Sequence, residues 1–127
     1  MGLIVARFVL DTNIILYLLG GRLAEPLPVG PYAISVLSEL ELLAYPGLVL
    51  PEEQRIRAFL ADIAVMELTQ AIKDRAVDLR KRHSLKLPDA IVAATALILD
   101  ATLLTNDQRL LSLPEVPTQM RPIKALP

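Results

Sequence analysis

Cysteine is absent from the 127-residue chain, and histidine occurs once, at His83. Without thiols there is no disulfide, no thiolate metal site and no cysteine nucleophile, and the expected compartment is a reducing one, the cytoplasm. A lone imidazole cannot supply both the acid and the base of a histidine-pair mechanism. Set among Arg80, Lys81 and Arg82, His83 is expected as a solvated helix end. Zinc loses its usual nitrogen and sulfur ligands by the same absences. Charge excess is also missing: 13 Lys and Arg stand against 14 Asp and Glu, a net charge of -1, so any nucleic-acid partner must be held locally and not by a global field. No apolar run reaches the roughly 18 residues of a membrane span. Asp89 and Asp100 bracket the longest one, and the N-terminus lacks the layout of a signal peptide, so no membrane association is expected. There is no internal repeat and no low-complexity block.

What remains is a chain with 54% hydrophobic residues, ample for a packed core. Residues 1–127 are expected to form a single domain, with an irregular, proline-bearing tail from about 114. Phe8-Val9-Leu10 is apolar without alternation, as in a strand covered on both faces of a parallel sheet, and it runs straight into Asp11-Thr12-Asn13. Thr12 or Asn13 is the expected cap of a following helix that gives out at Gly20-Gly21. Tyr32 to Val36 reads as a second strand, with a helix carrying Leu37, Leu40, Leu42 and Leu43 behind it. Pro51 opens a further helix, Ile63 to Leu68 a short strand, and Thr69 to His83 a helix on the spacing of Ile72, Ala76, Val77 and Leu79. Leu87-Pro88-Asp89 starts an almost wholly apolar helix that Asp100 ends. Ala101 to Thr105 reads as an interior strand running into Asn106-Asp107, after which Gln108 to Leu111 is a short helix at most. An edge strand is expected near Val116 or Met120. Alternating strands and helices predict a three-layer α/β/α sandwich around a central, mainly parallel sheet.

That topology gathers scattered acids. Asp11 and Asp107 follow strands, Glu41 and Asp89 sit near helix starts, and strand ends and helix starts share one edge of such a sheet. Carboxylates within about 4–6 Å of one another resist joint ionisation, a conflict that a divalent cation removes. Oxygen-only ligands suit Mg²⁺ or Mn²⁺.

The Leu10-Asp11-Thr12-Asn13 start, the Ile34-Ser35-Val36-Leu37-Ser38-Glu39-Leu40-Glu41-Leu42-Leu43 segment, the Leu87-Pro88-Asp89-Ala90 helix start and the Leu104-Thr105-Asn106-Asp107 strand end, in that order, resemble the PIN-domain ribonucleases. The short single-domain size most resembles the VapC toxins of toxin–antitoxin pairs. The resemblance spans Phe8 to about Leu111. It implies an acidic quartet of Asp11, Glu41, Asp89 and Asp107, with Asn13 and Thr105 as polar supports, holding Mg²⁺ or Mn²⁺ for hydrolysis of an RNA phosphodiester. It also implies a small antitoxin as partner, its tail in the acidic crevice, and a homodimer. Glu39 is the rival of Glu41 if the register shifts by two. Many relatives carry a further acid before an aromatic where this chain has Leu110-Leu111, which leaves Asp107 the only acid there. The short connections leave little room for a substrate-recognition loop.

Each acid also has a purely structural reading. Asp11 and Asn13 could do no more than cap a helix, Ser38 and Glu41 fit a capping box, Asp89 could serve a helix dipole, and Asp107 could be a turn residue. The cations from Lys73 to Lys86 could guide an RNA backbone or simply keep a helix face soluble. Two other functions compete with the nuclease. One is a catalytically inactive PIN-like module that engages a partner protein. The other is a phosphatase of the haloacid-dehalogenase type, which would want an Asp where Asn13 stands.

Overall fold

The computed structural model of the chain describes residues 3–125. Its elements are β1 (Phe8–Leu10), α1 (Thr12–Leu19), β2 (Tyr32–Ser35), α2 (Val36–Leu43), α3 (Leu50–Ala61), β3 (Ala64–Met66), α4 (Gln70–His83), α5 (Leu87–Ile98), β4 (Thr102–Leu104), α6 (Gln108–Leu111) and β5 (Thr118–Gln119). The five strands form one sheet in the order β3-β2-β1-β4-β5, and every pairing in it is parallel.

β1 lies at the centre, and its residues are buried on both sides, with Val9 fully inaccessible. Successive side chains point to opposite faces of a strand. Val9 and Leu103 accordingly join one core with Ile72, Ala76 and Leu79 of α4, the alanines of α5 and Leu110 of α6. Phe8, Leu10 and Leu104 join the other, with Ile14 and Ile15 of α1, Leu42 of α2 and Ile56 of α3. The result is the expected three-layer sandwich. Removing each of the Val, Leu, Ile and Phe side chains from water contributes on the order of 1.5–3 kcal/mol, and each alanine less. α5 comes close to its neighbours because Ala90, Ala93, Ala94 and Ala96 keep its inner face shallow, and its one buried hydroxyl, on Thr95, donates to the Ile91 carbonyl at 2.8 Å.

Several expectations are corrected. The cap of α1 is Asp11 itself, not Thr12 or Asn13: its side chain accepts the Thr12 amide at 2.8 Å, and the helix begins one residue later. β2 stops at Ser35 because that hydroxyl accepts the Leu37 amide and caps α2, so Ser38 and Glu41 form no capping box. Val77 is 48% exposed; it lies one residue off the Ile72, Ala76, Leu79 stripe, about 100° round the helix. The edge strand expected near Val116 or Met120 is found between them, on Thr118 and Gln119; Pro117 before it has no amide to donate and offers only its carbonyl, to Leu103 at 2.8 Å. His83 is not solvated: its Nε2 lies 2.8 Å from Glu115 Oε2 in a half-buried contact.

The tail is less irregular than its prolines imply. Ala24 donates to the Pro122 carbonyl, Lys124 donates to the Arg22 carbonyl, and Leu23 bridges Ile123. Asn106 binds the Arg121 backbone twice, accepting its amide at 2.8 Å and donating to its carbonyl at 2.9 Å. The strand end that leads to Asp107 is thereby tied to the chain's last described residues. No described helix is long and apolar enough to cross a membrane.

Candidate active site

The sheet order places β1 and β4 side by side although the chain visits β2 and β3 between them. β2 and β3 continue the sheet to one side of β1, and β4 and β5 to the other. In an open parallel sheet such a reversal leaves a crevice beyond the carboxyl ends of the two central strands. Asp11 follows β1 there, with its amide donating to the Leu104 carbonyl of β4 at 3.0 Å.

Asp11 and Asp107 both cap helices, and capping leaves each with an oxygen for other work. Asp11 takes the Thr12 amide on Oδ1 and the Thr105 hydroxyl on Oδ2, each at 2.8 Å. Asp107 uses Oδ1 alone for the amides of Arg109 and Leu110, at 2.8 and 3.4 Å. Thr105, fully buried, joins the two acids, because its hydroxyl donates to Asp11 and accepts the Asp107 amide at 3.1 Å. The cap reading and the site reading are therefore compatible.

Glu41 stands in the second turn of α2, with its Oε1 held 2.7 Å from the Thr12 hydroxyl. Thr12 Oγ1 is also 2.9 Å from Ser38 Oγ. The Thr12 hydroxyl has one proton, and a carboxylate can only accept, so Thr12 donates to Glu41 and receives from Ser38. Asp89 lies in the first turn of α5, half-buried, directly after Pro88.

These side chains share one cavity of about 420 Å³, lined by Asp11, Thr12, Asn13, Glu41, Asp89 and Asp107 and walled in part by Tyr45, Pro46 and Val92. Glu39 does not line it. All four acids thus face one crevice, yet among the described residues no three stand close enough to enclose an ion between them. Asn13 is exposed at the rim and makes no side-chain hydrogen bond among the described residues, so it orients none of the carboxylates.

Burial pushes the Asp11 carboxyl above its ordinary range; the Thr105 and Thr12 hydrogen bonds oppose this, and the charges of Asp89 and Asp107 add to it. Asp89 is raised as well, by burial first and then by Asp107 and Glu41, against the pull of Lys86 and Arg109. None of the four acids forms an ion pair among the described residues. Repulsion that no ion pair relieves and an oxygen-only donor set fit a hard divalent cation that keeps several waters and takes one or two carboxylates directly.

Sequence reasoning missed Thr12 and Ser38 as the holders of Glu41, and Lys86 and Arg109 as the cations that act on Asp89. The signal for the first pair was a hydroxyl one residue after Asp11 and another three residues before Glu41, on the face of α2 that meets α1. No local pattern marks the second pair.

A profile of the PIN domain matches residues 8–116. Among solved structures, the chain is 33% identical to one in a toxin–antitoxin complex from Klebsiella pneumoniae, covering 85% of this chain and 93% of that one with a TM-score of 0.71. It also shares its fold with VapBC2 from Rickettsia felis bound to a DNA fragment from their promoter, at 18% identity, 90% and 98% coverage and a TM-score of 0.74. VapBC-5 from Mycobacterium tuberculosis is similar at 18% identity, 91% and 98% coverage and a TM-score of 0.69. No curated protein matches. With the profile extending from the first residue of β1 to three residues past Leu113, across all four acids of the crevice, the chain belongs to the PIN domain family.

Proposed function

We propose that this chain is a metal-dependent endoribonuclease that hydrolyses RNA phosphodiester bonds, and that it is the toxin of a toxin–antitoxin pair. The observation that carries the nuclease reading is the single crevice at the sheet's reversal, into which β1, α2, α5 and the end of β4 each deliver one carboxylate. The likeness to a chain of the Klebsiella pneumoniae complex supports the toxin reading, and with it a small antitoxin as partner. A homodimer and a cytoplasmic location belong to the same reading.

Asp11, Asp89 and Asp107 would hold Mg²⁺ or Mn²⁺, one or two of them directly and the rest through the ion's waters, with Glu41 acting directly or through water. Bound there, the cation supplies a Lewis acid for the phosphodiester and a means of lowering the pKa of water. Thr105 fixes the Asp11 carboxylate and the Asp107 turn relative to each other, and Thr12 fixes Glu41. Pro46, Pro88 and Val92 add apolar surface to the cavity wall.

Replacing Asp11 by Asn tests the reading. Asn caps a helix as well as Asp does, so the fold is retained while the anionic ligand is lost. Mg²⁺-dependent cleavage of RNA by the purified protein should fall by at least a thousandfold, and retained activity overturns the assignment. The inactive binding module has one observation in its favour, the lack of three acids close enough to enclose an ion among the described residues. Calorimetric titration with Mg²⁺ and Mn²⁺ separates the two, because a scaffold takes up neither. The phosphatase reading falls with the family match.

A further inference from the structure

Beside the acidic crevice lie two adjoining cavities with the opposite character. One, of about 310 Å³, is lined by Arg80, Lys81, Ser84 and Leu85 at the end of α4. The other, of about 480 Å³, shares Ser84 and Leu85 and continues past Gln108, Arg109 and Ser112 of the α6 region. No described carboxylate lines either. Of the acids near these cavities in sequence, Asp89 and Asp107 line the crevice instead, and Asp78 and Glu115 both bind Arg82, at 2.6 and 2.8 Å, with Glu115 also taking His83. Lys81, Lys86 and Arg109 are exposed and form no ion pair among the described residues.

The groove and the crevice share no lining residue, but the chain links them at two points. Arg109 follows Asp107 by two residues, Lys86 precedes Asp89 by three, and both cations stand close enough to Asp89 for their charges to act on it. In a chain of net charge -1 this strip is a local concentration of cations leading away from four carboxylates. A substrate strand entering an acidic crevice is repelled there and needs its holding charge outside it. The exposed Ser84 and Gln108 side chains add neutral donors of the kind that commonly contact phosphate and sugar oxygens.

We infer that the groove from Arg109 to Arg80 and Lys81, with Lys86 next in sequence to its lining residue Leu85, binds the phosphodiester backbone of single-stranded RNA flanking the scissile bond. The inference rests on the ribonuclease reading but concerns binding, so it is tested where cleavage plays no part. In chelator, the Asp11→Asn chain is titrated against a fluorescein-labelled RNA of roughly 12 nucleotides, within the span that single-strand grooves cover. Adding Lys81→Ala and Arg109→Ala should weaken binding about tenfold or more and reduce the slope of log affinity against log salt by about 0.7 for each phosphate that is no longer neutralised. Lys81→Arg with Arg109→Lys keeps the charges and should restore both, which guards against a folding defect, as does an unchanged thermal melt.

Unchanged affinity and slope in the alanine pair overturn the groove. So does a polyglutamate peptide that competes as well as RNA does, which would assign the strip to an acidic protein tail. In the metal-loaded chain with Asp11 intact, Lys81→Ala alone, which leaves the cations that act on Asp89 in place, should raise KM for the long RNA by a larger factor than for a dinucleotide, and an equal effect on both overturns the groove. If the intact chain cleaves nothing while RNA affinity still depends on Lys81 and Arg109, the nuclease reading has failed and the groove has not.

Discussion

Two acidic regions of this molecule share residue types and differ in company. In the crevice, Asp11 and Asp89 are raised above their ordinary carboxyl range by burial and by one another's neighbours, with no cation bound to them at ion-pair distance among the described residues. At the end of α4, Asp78 is lowered by its hydrogen bonds to Arg82, and Glu115 by His83. The second region pairs each of its acids with a cation of the protein, although Glu115 Oε1 is buried without a hydrogen-bond partner. The first keeps its acids without an ion-pair partner among the described residues, in the cavity at the sheet's reversal, which costs stability and makes sense if the counter-charge arrives as a bound ion.

The largest test of this contrast is the Asp11→Asn variant, because it should move two quantities in opposite directions. Catalysis falls by at least a thousandfold, while the metal-free protein at neutral pH becomes more stable. The sign follows from linkage: a carboxyl whose pKa is raised by folding stabilises the folded state only while protonated, and that contribution is lost as pH rises through the folded pKa. Asn stays neutral throughout, so its Tm should exceed the parent's by a few degrees at neutral pH. A lower Tm would mean that Asp11 is a structural cap first.

Thr12→Val comes next. It leaves the α1 backbone as it is and removes the hydroxyl that holds Glu41 and receives Ser38. Groups that orient a metal's ligands are typically worth 10–100-fold in affinity or activity, and about that loss is expected in Mn²⁺ affinity by calorimetry. Thr12→Ser keeps the hydroxyl and should recover most of it. An unchanged affinity in Thr12→Val places Glu41 outside the site.

A smaller effect separates the regions by pH alone. Ligation needs deprotonated carboxylates. With Asp11 and Asp89 both raised, Mn²⁺ affinity should begin to fall, on acidification, above the ordinary carboxylate range. Affinity that stays level until pH reaches the ordinary range would show that neither acid is perturbed in the metal-free protein.

The contrast also explains what could be read from the chain and what could not. Phe8 to Leu10 was legible because full burial on both faces forces a run without alternation, and Pro88 and the Gly20-Gly21 pair punctuate helices by backbone geometry alone. The gathering of Asp11, Glu41, Asp89 and Asp107 at one edge follows from strand and helix alternation, so it too was within reach. Their spacing inside the crevice was not, because it depends on hydroxyls contributed by other elements, such as Thr12 reaching 29 positions to Glu41 and Thr105 reaching 94 positions back to Asp11. His83 was misread for the same reason: its partner, Glu115, is 32 positions away. The solvated reading rested on sequence neighbours, and the fold supplied a different one.

Glu115→Gln should have the smallest effect and mark the other end of the comparison. Glu115 is lowered on folding, so it contributes stability above its unfolded pKa and loses it as pH falls through the still lower folded value. Gln keeps the shape and can still accept from His83, but it cannot pair with Arg82, which retains Asp78. Partly exposed pairs of this kind contribute little, so the Tm at neutral pH should drop by no more than a few degrees. The difference between parent and variant should then vanish on acidification below the ordinary carboxylate range, when Glu115 itself becomes neutral. Metal affinity and RNA cleavage should not change at all. If cleavage instead falls with Glu115→Gln, the α4 cluster is coupled to the crevice through the Ser84 to Lys86 turn, and the two regions are parts of one site.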